Sequence, residues 1–394
     1  MDLTIIGAGM FTHDVVLPAM FQLQRDGVVG RVRVCATRAE SLQTLRDDRQ
    51  IREAFPGQDF EGHTEGYAQV LAGMAPRQLV AVVTPDHLHH AMVMAALQHD
   101  QHVLCVKPLV QKFAQAEEIR VAAQARGLLV GVEYHKRFDR RALIARRDYA
   151  AGRFGTFVMG EARLVEPYYY RASNFQNWFT CEQADPFTYV GCHYVDLVAF
   201  ITGLRPVEVS VRGVKGKFPN GNEGFMWSQA RVVFENGGVL SVVNGLGYPD
   251  AAAGSNDQGM TLYTEGKDGT GMIAHDDQFR GVEHSYAAAG DGKAFRYINP
   301  DFFRYVPRAA GNGAQAVGYG FDSVAAIVQA AGRVEAANDL AGRQAVLGEI
   351  DAMGLIATPG NSGYNELVVE AARKSILQEG RAVRIGGAEL TISD

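Results

Sequence analysis

Five short apolar runs in the first third of the chain, LTIIGA, RVRVCAT, LVAVVT, HVLCVK and LLVGVEY, are separated by stretches of helix length. Parallel neighbours need a crossover of about a dozen residues or more, whereas antiparallel neighbours close with a tight turn. The rhythm therefore points to a parallel sheet covered by helices on both faces. The linking segments fit that role. RAESLQTLRDD and AQAEEIRVAAQARG return apolar residues at three and four, and the second closes on a glycine suited to a helix end.

After EYHKRFD and a basic helix, RRALIARRDYAAG, the pattern changes to two-residue alternation in TFVMGEARL and VEVSVRGV. QARVVFENGGVLSVVNG reads as a hairpin in which Asn236, Gly237 and Gly238 supply positive φ angles. Helices are expected at YVDLVAFITG, FDSVAAIVQAAGRVEA and NELVVEAARKSILQEG. The expected fold class is α/β. A doubly wound Rossmann sheet over residues 1–137 is followed by an α+β domain over 138–394, with a mostly antiparallel open sheet.

A length of 394 residues suffices for two such cores, and a net charge of -6 without basic blocks offers no footprint for nucleic acid. Cys35, Cys105, Cys181 and Cys192 have no paired spacing, which fits a reducing compartment. DLTIIGAG enters a strand at once, leaving no room for a signal core, and no apolar stretch approaches the ~20 residues of a membrane span. The expectation is a cytoplasmic chain with no membrane partner.

IIGAGMFT sets Gly7 and Gly9 between the first strand and a helix, with Met10 and Phe11 next. Glycine there lets the main chain turn tightly and approach a pyrophosphate at the helix N-terminus. The third position of the G-x-G-x-x-G pattern is Thr12, and Pro18 falls early in the helix that follows. At the end of the second strand, NAD sites carry an acid for the ribose, yet Thr37 and Arg38 stand in VCATRAES. A hydroxyl and a guanidinium suit a 2′-phosphate, so NADP is favoured as cofactor, with NAD possible.

VVTPDHLHHAMVMAAL, HVLCVKPLV and GCHYVDLVAFITG occur in this order, and together they make the chain resemble the Gfo/Idh/MocA family of sugar and inositol oxidoreductases. Thr84, Pro85 and Asp86 match its T-P-(N/D)-x-x-H pattern, with His87 as a further cofactor or substrate neighbour. Lys107 and Pro108 match its E-K-P tripeptide, and Gly191, His193 and Asp196 match its G-x-H-x-x-D helix start. The resemblance implies that Lys107 stands at the crevice where parallel strands end, in contact with both cofactor and substrate, and that Pro108 is cis. It implies that His193 shares proton handling with Lys107 at a hydroxyl that loses hydride to nicotinamide.

Two positions depart from the family. Val106 replaces the glutamate before the lysine, and Tyr189 replaces the aspartate four residues before His193. Tyr189 is taken as a catalytic or substrate-binding hydroxyl, while Asp185 is a second candidate for the missing acid. His135 in GVEYHKRFD, Arg171 in EPYYYRASNFQNWF and Asp196 in the helix start are further substrate-binding candidates, the first two beside a packing role. DHLHH lacks the i, i+4 histidine pair of a zinc helix, so no metal is expected, and Asp86 reads as a helix cap.

The expected activity is NAD(P)-dependent oxidation of a hydroxyl on a sugar, inositol or glycoside. Two alternatives stand beside it: glycoside cleavage by transient oxidation with bound NAD, and a non-catalytic sensor of cofactor and sugar. An exposed sheet face in the second domain, together with family habit, leads to an expected homo-oligomer.

Overall fold

The computed structural model describes residues 1–252, 256–267, 269–276, 284–287, 295–298, 302–309, 311–387 and 389–392. The chain divides into two compact units. One comprises Met1–Val110, Ala114–Phe138 and Phe302–Gly363; the other comprises Gln111–Phe113, Asp139–Asp301 and Tyr364–Asp394.

Six parallel strands form the sheet of the first unit: β1 (Leu3–Ile6), β2 (Val32–Cys35), β3 (Glu61–His63), β4 (Leu79–Val82), β5 (His102–Val106) and β6 (Val130–Glu133), in the order β3-β2-β1-β4-β5-β6. Four of them, β1, β4, β5 and β6, are almost wholly buried apolar runs, as strands covered on both faces must be. The crossovers carry α1 (Leu17–Arg25), α2 (Ala39–Asp47), α3 (Arg49–Ala54), α4 (Tyr67–Ala72), α5 (His89–Gln98) and α6 (Phe113–Arg126). Strand β3 escapes sequence reading because it is three residues long, polar and largely exposed at the sheet edge.

The sequence places residues 302–363 in the second domain, but Phe302–Gly363 belong with the first unit. The helix Tyr319–Glu335 buries Val324, Ile327, Val328, Ala331 and Val334 in the same core as Leu3, Ile5 and Leu104. Gly131 of β6 admits that helix: a Cβ there would stand 2.7 Å from Ile327. Apolar periodicity reveals the helix, but it does not reveal which sheet the helix covers.

The second unit is built on β7 (Thr156–Pro167), β8 (Pro206–Lys217), β9 (Glu223–Phe234), β10 (Val239–Tyr248), β11 (Asp257–Gly266) and β12 (Gly269–Asp276), joined by β13 (Val383–Gly386) and β14 (Glu389–Ile392) in the order β12-β11-β7-β10-β9-β8-β13-β14. Only β7 and β10 pair in parallel among these neighbours. The β9–β10 hairpin forms as expected, with one correction: of its three turn residues only Gly237 has positive φ, at 84°. The Asn236 side-chain oxygen instead accepts from the Gly238 N–H at 3.0 Å. Helices α7 (Arg140–Ala150) and α8 (Cys192–Thr202) belong to this unit, as does the helix Tyr364–Leu377.

Candidate active site

At the end of β1, Gly7 takes φ 112° with its Cα against the Val83 carbonyl, where a Cβ would come within 2.0 Å of the oxygen. Only glycine fits there. Around Gly9 the situation is reversed, since nothing lies within 4 Å of where its Cβ would be. The main chain at Gly9 is therefore open to close approach by a ligand, and a pyrophosphate fits this cradle. Thr12 is buried, and its hydroxyl donates to the Gly7 carbonyl at 2.8 Å, securing the turn from the position where the dinucleotide pattern has a third glycine. The helical run begins at Met10 and widens into a π turn over Thr12–Val16, and Pro18 follows that turn directly as the second residue of α1. Met10 and Phe11 follow the cradle and are partly buried.

Beyond β2, Thr37 and Arg38 are exposed. Arg38 has extended backbone, φ −135° and ψ 133°, and precedes α2 without a side-chain bond to its N-terminus.

Beyond β4, Thr84 and Pro85 are partly buried, and Asp86 is buried. Asp86 opens a 3-10 turn, Asp86–Leu88, and Leu88 is the residue that precedes α5, so Asp86 does not stand at the helix cap. The three histidines of DHLHH diverge. His87 is exposed, His90 Nε2 lies 2.9 Å from Glu118, and the fully buried His89 faces two main-chain carbonyls. Among the described residues, no group of three or more His, Cys, Asp and Glu side chains could hold a metal.

Lys107 directly follows β5 and is half-buried, and the Lys107–Pro108 bond is cis. Val106, at the family's acidic position, packs against the hydrophobic core of this unit. Glu133, the buried last residue of β6, lies 3.1 Å from Nδ1 of His135. The His135 ring stacks with Phe11 at 6.3 Å and with Tyr319 at 5.7 Å, and meets the edge of Phe302 at 5.2 Å. This brings His135 beside the glycine turn. Sequence reasoning did not single out Glu133, Phe302 or Tyr319, and the latter two come from a distant segment with no local signal. Arg137 is buried and bonds within its own unit, to the Gly354 carbonyl at 3.5 Å.

In the second unit a π turn, Phe187–Gly191, runs into α8 and places Tyr189, His193 and Asp196 on one continuous helical stretch. Such single π turns recur at functional sites. His193 is buried, while Tyr189 is half-buried against the edges of Phe175, Trp178 and Phe179. Gly191 leaves no room for a side chain: a Cβ would lie 2.4 Å from Asn244 Oδ1 and 2.7 Å from Phe187. Asp196 is buried and accepts from the Tyr364 hydroxyl at 3.0 Å and from Asn365 Nδ2 at 2.7 Å, tying down the helix Tyr364–Leu377.

Asp185 has a structural partner. Its carboxylate accepts from Arg373 at 2.8 Å and from the Thr188 N–H at 2.9 Å, all buried. Arg171 donates to the Leu246 carbonyl at 2.5 Å and lies 4.7 Å from the centre of the Tyr168 ring, an anchored arrangement in a packed loop.

Six parallel strands in this order, with an open glycine turn after the first, define a dinucleotide-binding domain. Residues 1–134 match the family described as "Oxidoreductase family, NAD-binding Rossmann fold". A 1,5-anhydro-D-fructose reductase of Ensifer adhaerens is 28% identical over 156 residues, 40% of this chain and 45% of the relative. Inositol 2-dehydrogenase 1 of Saccharopolyspora erythraea is 32% identical over 142 residues, 36% of this chain and 40% of the relative. The match thus spans less than half the length of either relative. Over the whole fold the chain is similar to GenD2 from gentamicin A biosynthesis, solved in complex with NAD, with a TM-score of 0.68 at 16% identity, covering 98% of this chain and 97% of that one.

Proposed function

We propose that this protein is an NAD(P)-dependent dehydrogenase acting on a hydroxyl carbon of a sugar, inositol or related polyol. The observation that carries the reading is the pairing of an open cradle at Gly9 with an amine, Lys107, at the end of the strand two positions along the sheet. Ligands of doubly wound sheets bind at this carboxyl edge, next to where the strand order reverses. The sugar and inositol enzymes among the relatives support the substrate class.

In this reading the main chain at Gly7, Gly9, Met10 and Phe11 holds the pyrophosphate, and Thr84, Pro85, Asp86 and His87 line the cofactor's far half with Lys107 and Pro108. Thr37 and Arg38 take a 2′-phosphate, which favours NADP over NAD. When bound, the nicotinamide supplies the hydride acceptor. Lys107 is assigned the proton of the substrate hydroxyl, and His193 is assigned a hydrogen bond to substrate. Tyr189, one helical turn before His193, stands where the family has an acid and orients the substrate as a neutral hydroxyl. His135, held by Glu133, serves as a further polyol contact. Asp196 and Arg171 act at one remove through the elements they anchor. Neither glycoside cleavage nor a sensor role is favoured by a specific observation.

Turnover of myo-inositol, scyllo-inositol and simple glucosides with each cofactor, followed by nicotinamide absorbance, tests the reading. Lys107→Ala should abolish turnover in a protein that still folds and still binds NADPH measurably; retained turnover in that variant overturns the assignment.

A homo-oligomer through the second unit is part of the same proposal. Met272, Tyr263 and Met159 stand side by side in register across β12, β11 and β7, each at least half exposed, as an apolar stripe that a second copy can cover. A sedimentation experiment showing only monomer at micromolar concentration would reject it. Among the described residues, no helix is long and apolar enough to cross a membrane.

A further inference from the structure

Both ring nitrogens of His89 lie 2.8 Å from a main-chain carbonyl oxygen, Nδ1 from that of Pro108 and Nε2 from that of Thr84. The side chain is fully buried at the start of α5. Its two partners stand just beyond β4 and β5, neighbouring strands that pair from Leu79 with His102 to Val82 with Cys105. A single imidazole therefore spans the ends of both strands, where the ladder no longer holds them together.

Carbonyl oxygens only accept, so each contact becomes a hydrogen bond when the facing nitrogen carries a proton. A neutral ring has one N–H and ties one loop at a time; a doubly protonated ring ties both. The two contacts also have different destinations. Nε2 reaches the threonine that begins the TPD segment. Nδ1 reaches the residue immediately after Lys107. Pro108 is buried, so its carbonyl needs a partner from within the protein.

We propose that His89 is the positioning residue for Lys107. The Nδ1–H donated to the Pro108 carbonyl fixes the peptide that follows the lysine, and with it the origin of the side chain that carries Nζ. With both ring nitrogens protonated, Nε2–H also donates to the Thr84 carbonyl and fixes that loop on the cofactor side. This rests on the reading of Lys107 as the proton-transfer group. Displacement of a reacting group by about 1 Å costs on the order of 10²-fold in rate, so loss of the Nδ1 contact should fall on turnover rather than on cofactor affinity.

Two amide side chains separate the contacts, because the Asn nitrogen occupies the place of Nδ1 and the Gln nitrogen that of Nε2. In the full-length protein, His89→Ala should lower kcat by roughly 100-fold. His89→Asn should restore most of that loss while leaving the Kd for NADPH raised. His89→Gln should leave kcat low and return the Kd for NADPH to the wild-type value. A Gln variant that restores turnover better than Asn overturns the proposal, as does equal rescue by both.

Labelling of Lys107 by a small acylating reagent, referenced to Lys112 and read by mass spectrometry, needs no substrate. Its rate should be altered in the Ala and Gln variants and return to the wild-type value in Asn; unchanged labelling in all three rejects the role. If the wild-type protein turns over no polyol with either cofactor, the functional reading fails, while the labelling still decides for or against His89. Should the variants not fold, the 15N spectrum of histidine-labelled wild-type protein decides. A protonated Nδ1 on His89 supports the assignment, and a bare Nδ1 overturns it.

Discussion

The Cα of Gly7 faces the carbonyl of Val83 so closely that a methyl group would stand 2.0 Å from the oxygen, whereas the same group on Gly9 would meet nothing within 4 Å. The two glycines of one turn therefore fail in different ways. Gly7→Ala combines that clash with a φ of 112°, and strain of this kind costs on the order of 1–3 kcal/mol before the clash is counted. It should lower Tm by several degrees. Gly9→Ala should leave Tm within about a degree of wild type, since surface changes without a structural conflict stay near ±0.5 kcal/mol. Its methyl group should nonetheless fill the cradle and weaken NADPH binding by at least tenfold. Differential scanning fluorimetry with and without NADPH reads both effects, and a Gly9→Ala protein that binds NADPH normally would remove the cradle from the site.

In the proposed reading Arg38 discriminates between the two cofactors. It is exposed beyond β2 on extended backbone, so its guanidinium can meet a 2′-phosphate without disturbing the core. A hydrogen bond to a charged group contributes about 1.5–3 kcal/mol. Arg38→Ala should therefore raise the Kd for NADPH by roughly 10- to 100-fold and that for NADH by less than threefold. Equal changes for both cofactors, measured by nicotinamide fluorescence, would contradict the phosphate role.

How much of this was legible in the sequence depends on how local the cause is. Parallel strands need crossovers, so five of the six show in the apolar rhythm while the polar edge strand β3 does not, and the β9–β10 hairpin shows in its Asn-Gly-Gly turn. Gly7, Lys107 and His193 lie in short motifs and are visible for that reason. The packing of the helix Tyr319–Glu335 on the first unit is invisible, because its buried face would suit either sheet. Glu133 reads as one more polar residue at a strand end until His135 is found beside it. His89 closes the T-P-(N/D)-x-x-H pattern, but only folding shows that its ring turns inward between two main-chain carbonyls. Asp185 illustrates the reverse error. Its position before His193 suggests an acid for the site, but Arg373, 188 residues further on, occupies its carboxylate.

That buried pair leads to a test of stability. Asp185 is fully buried and Arg373 nearly so, and Arg373 also donates to the Cys181 carbonyl at 2.7 Å. Removing one member of a buried pair leaves the other charge uncompensated, at about 3–5 kcal/mol. Asp185→Asn should therefore lower the urea midpoint strongly. The apolar double variant Asp185→Leu with Arg373→Met should recover part of the loss, because it leaves no lone charge. A single variant with wild-type stability and abolished turnover would restore Asp185 to the list of catalytic acids.

His13 links the glycine-turn segment to pH. Its Nδ1 lies 2.7 Å from Asp14 and its Nε2 3.1 Å from Asp48, which also caps α3 through the Ile51 N–H at 2.8 Å. The hydrogen bond to Asp14, partly opposed by burial and reinforced by Asp48, raises the His13 pKa from 6.5 to about 9. The folded protein thus holds this proton more tightly than the unfolded chain. The resulting stability is present in full below pH 6.5 and is lost as pH rises through about 9. In His13→Gln that pH-dependent increment should vanish. The Tm difference between wild type and His13→Gln should be largest near the acid end of the window and shrink across it. It should also shrink with added salt, because all three side chains are partly exposed. A Tm difference that stays constant from about pH 6 to about pH 9.5 would mean that His13 carries no extra proton in the folded state.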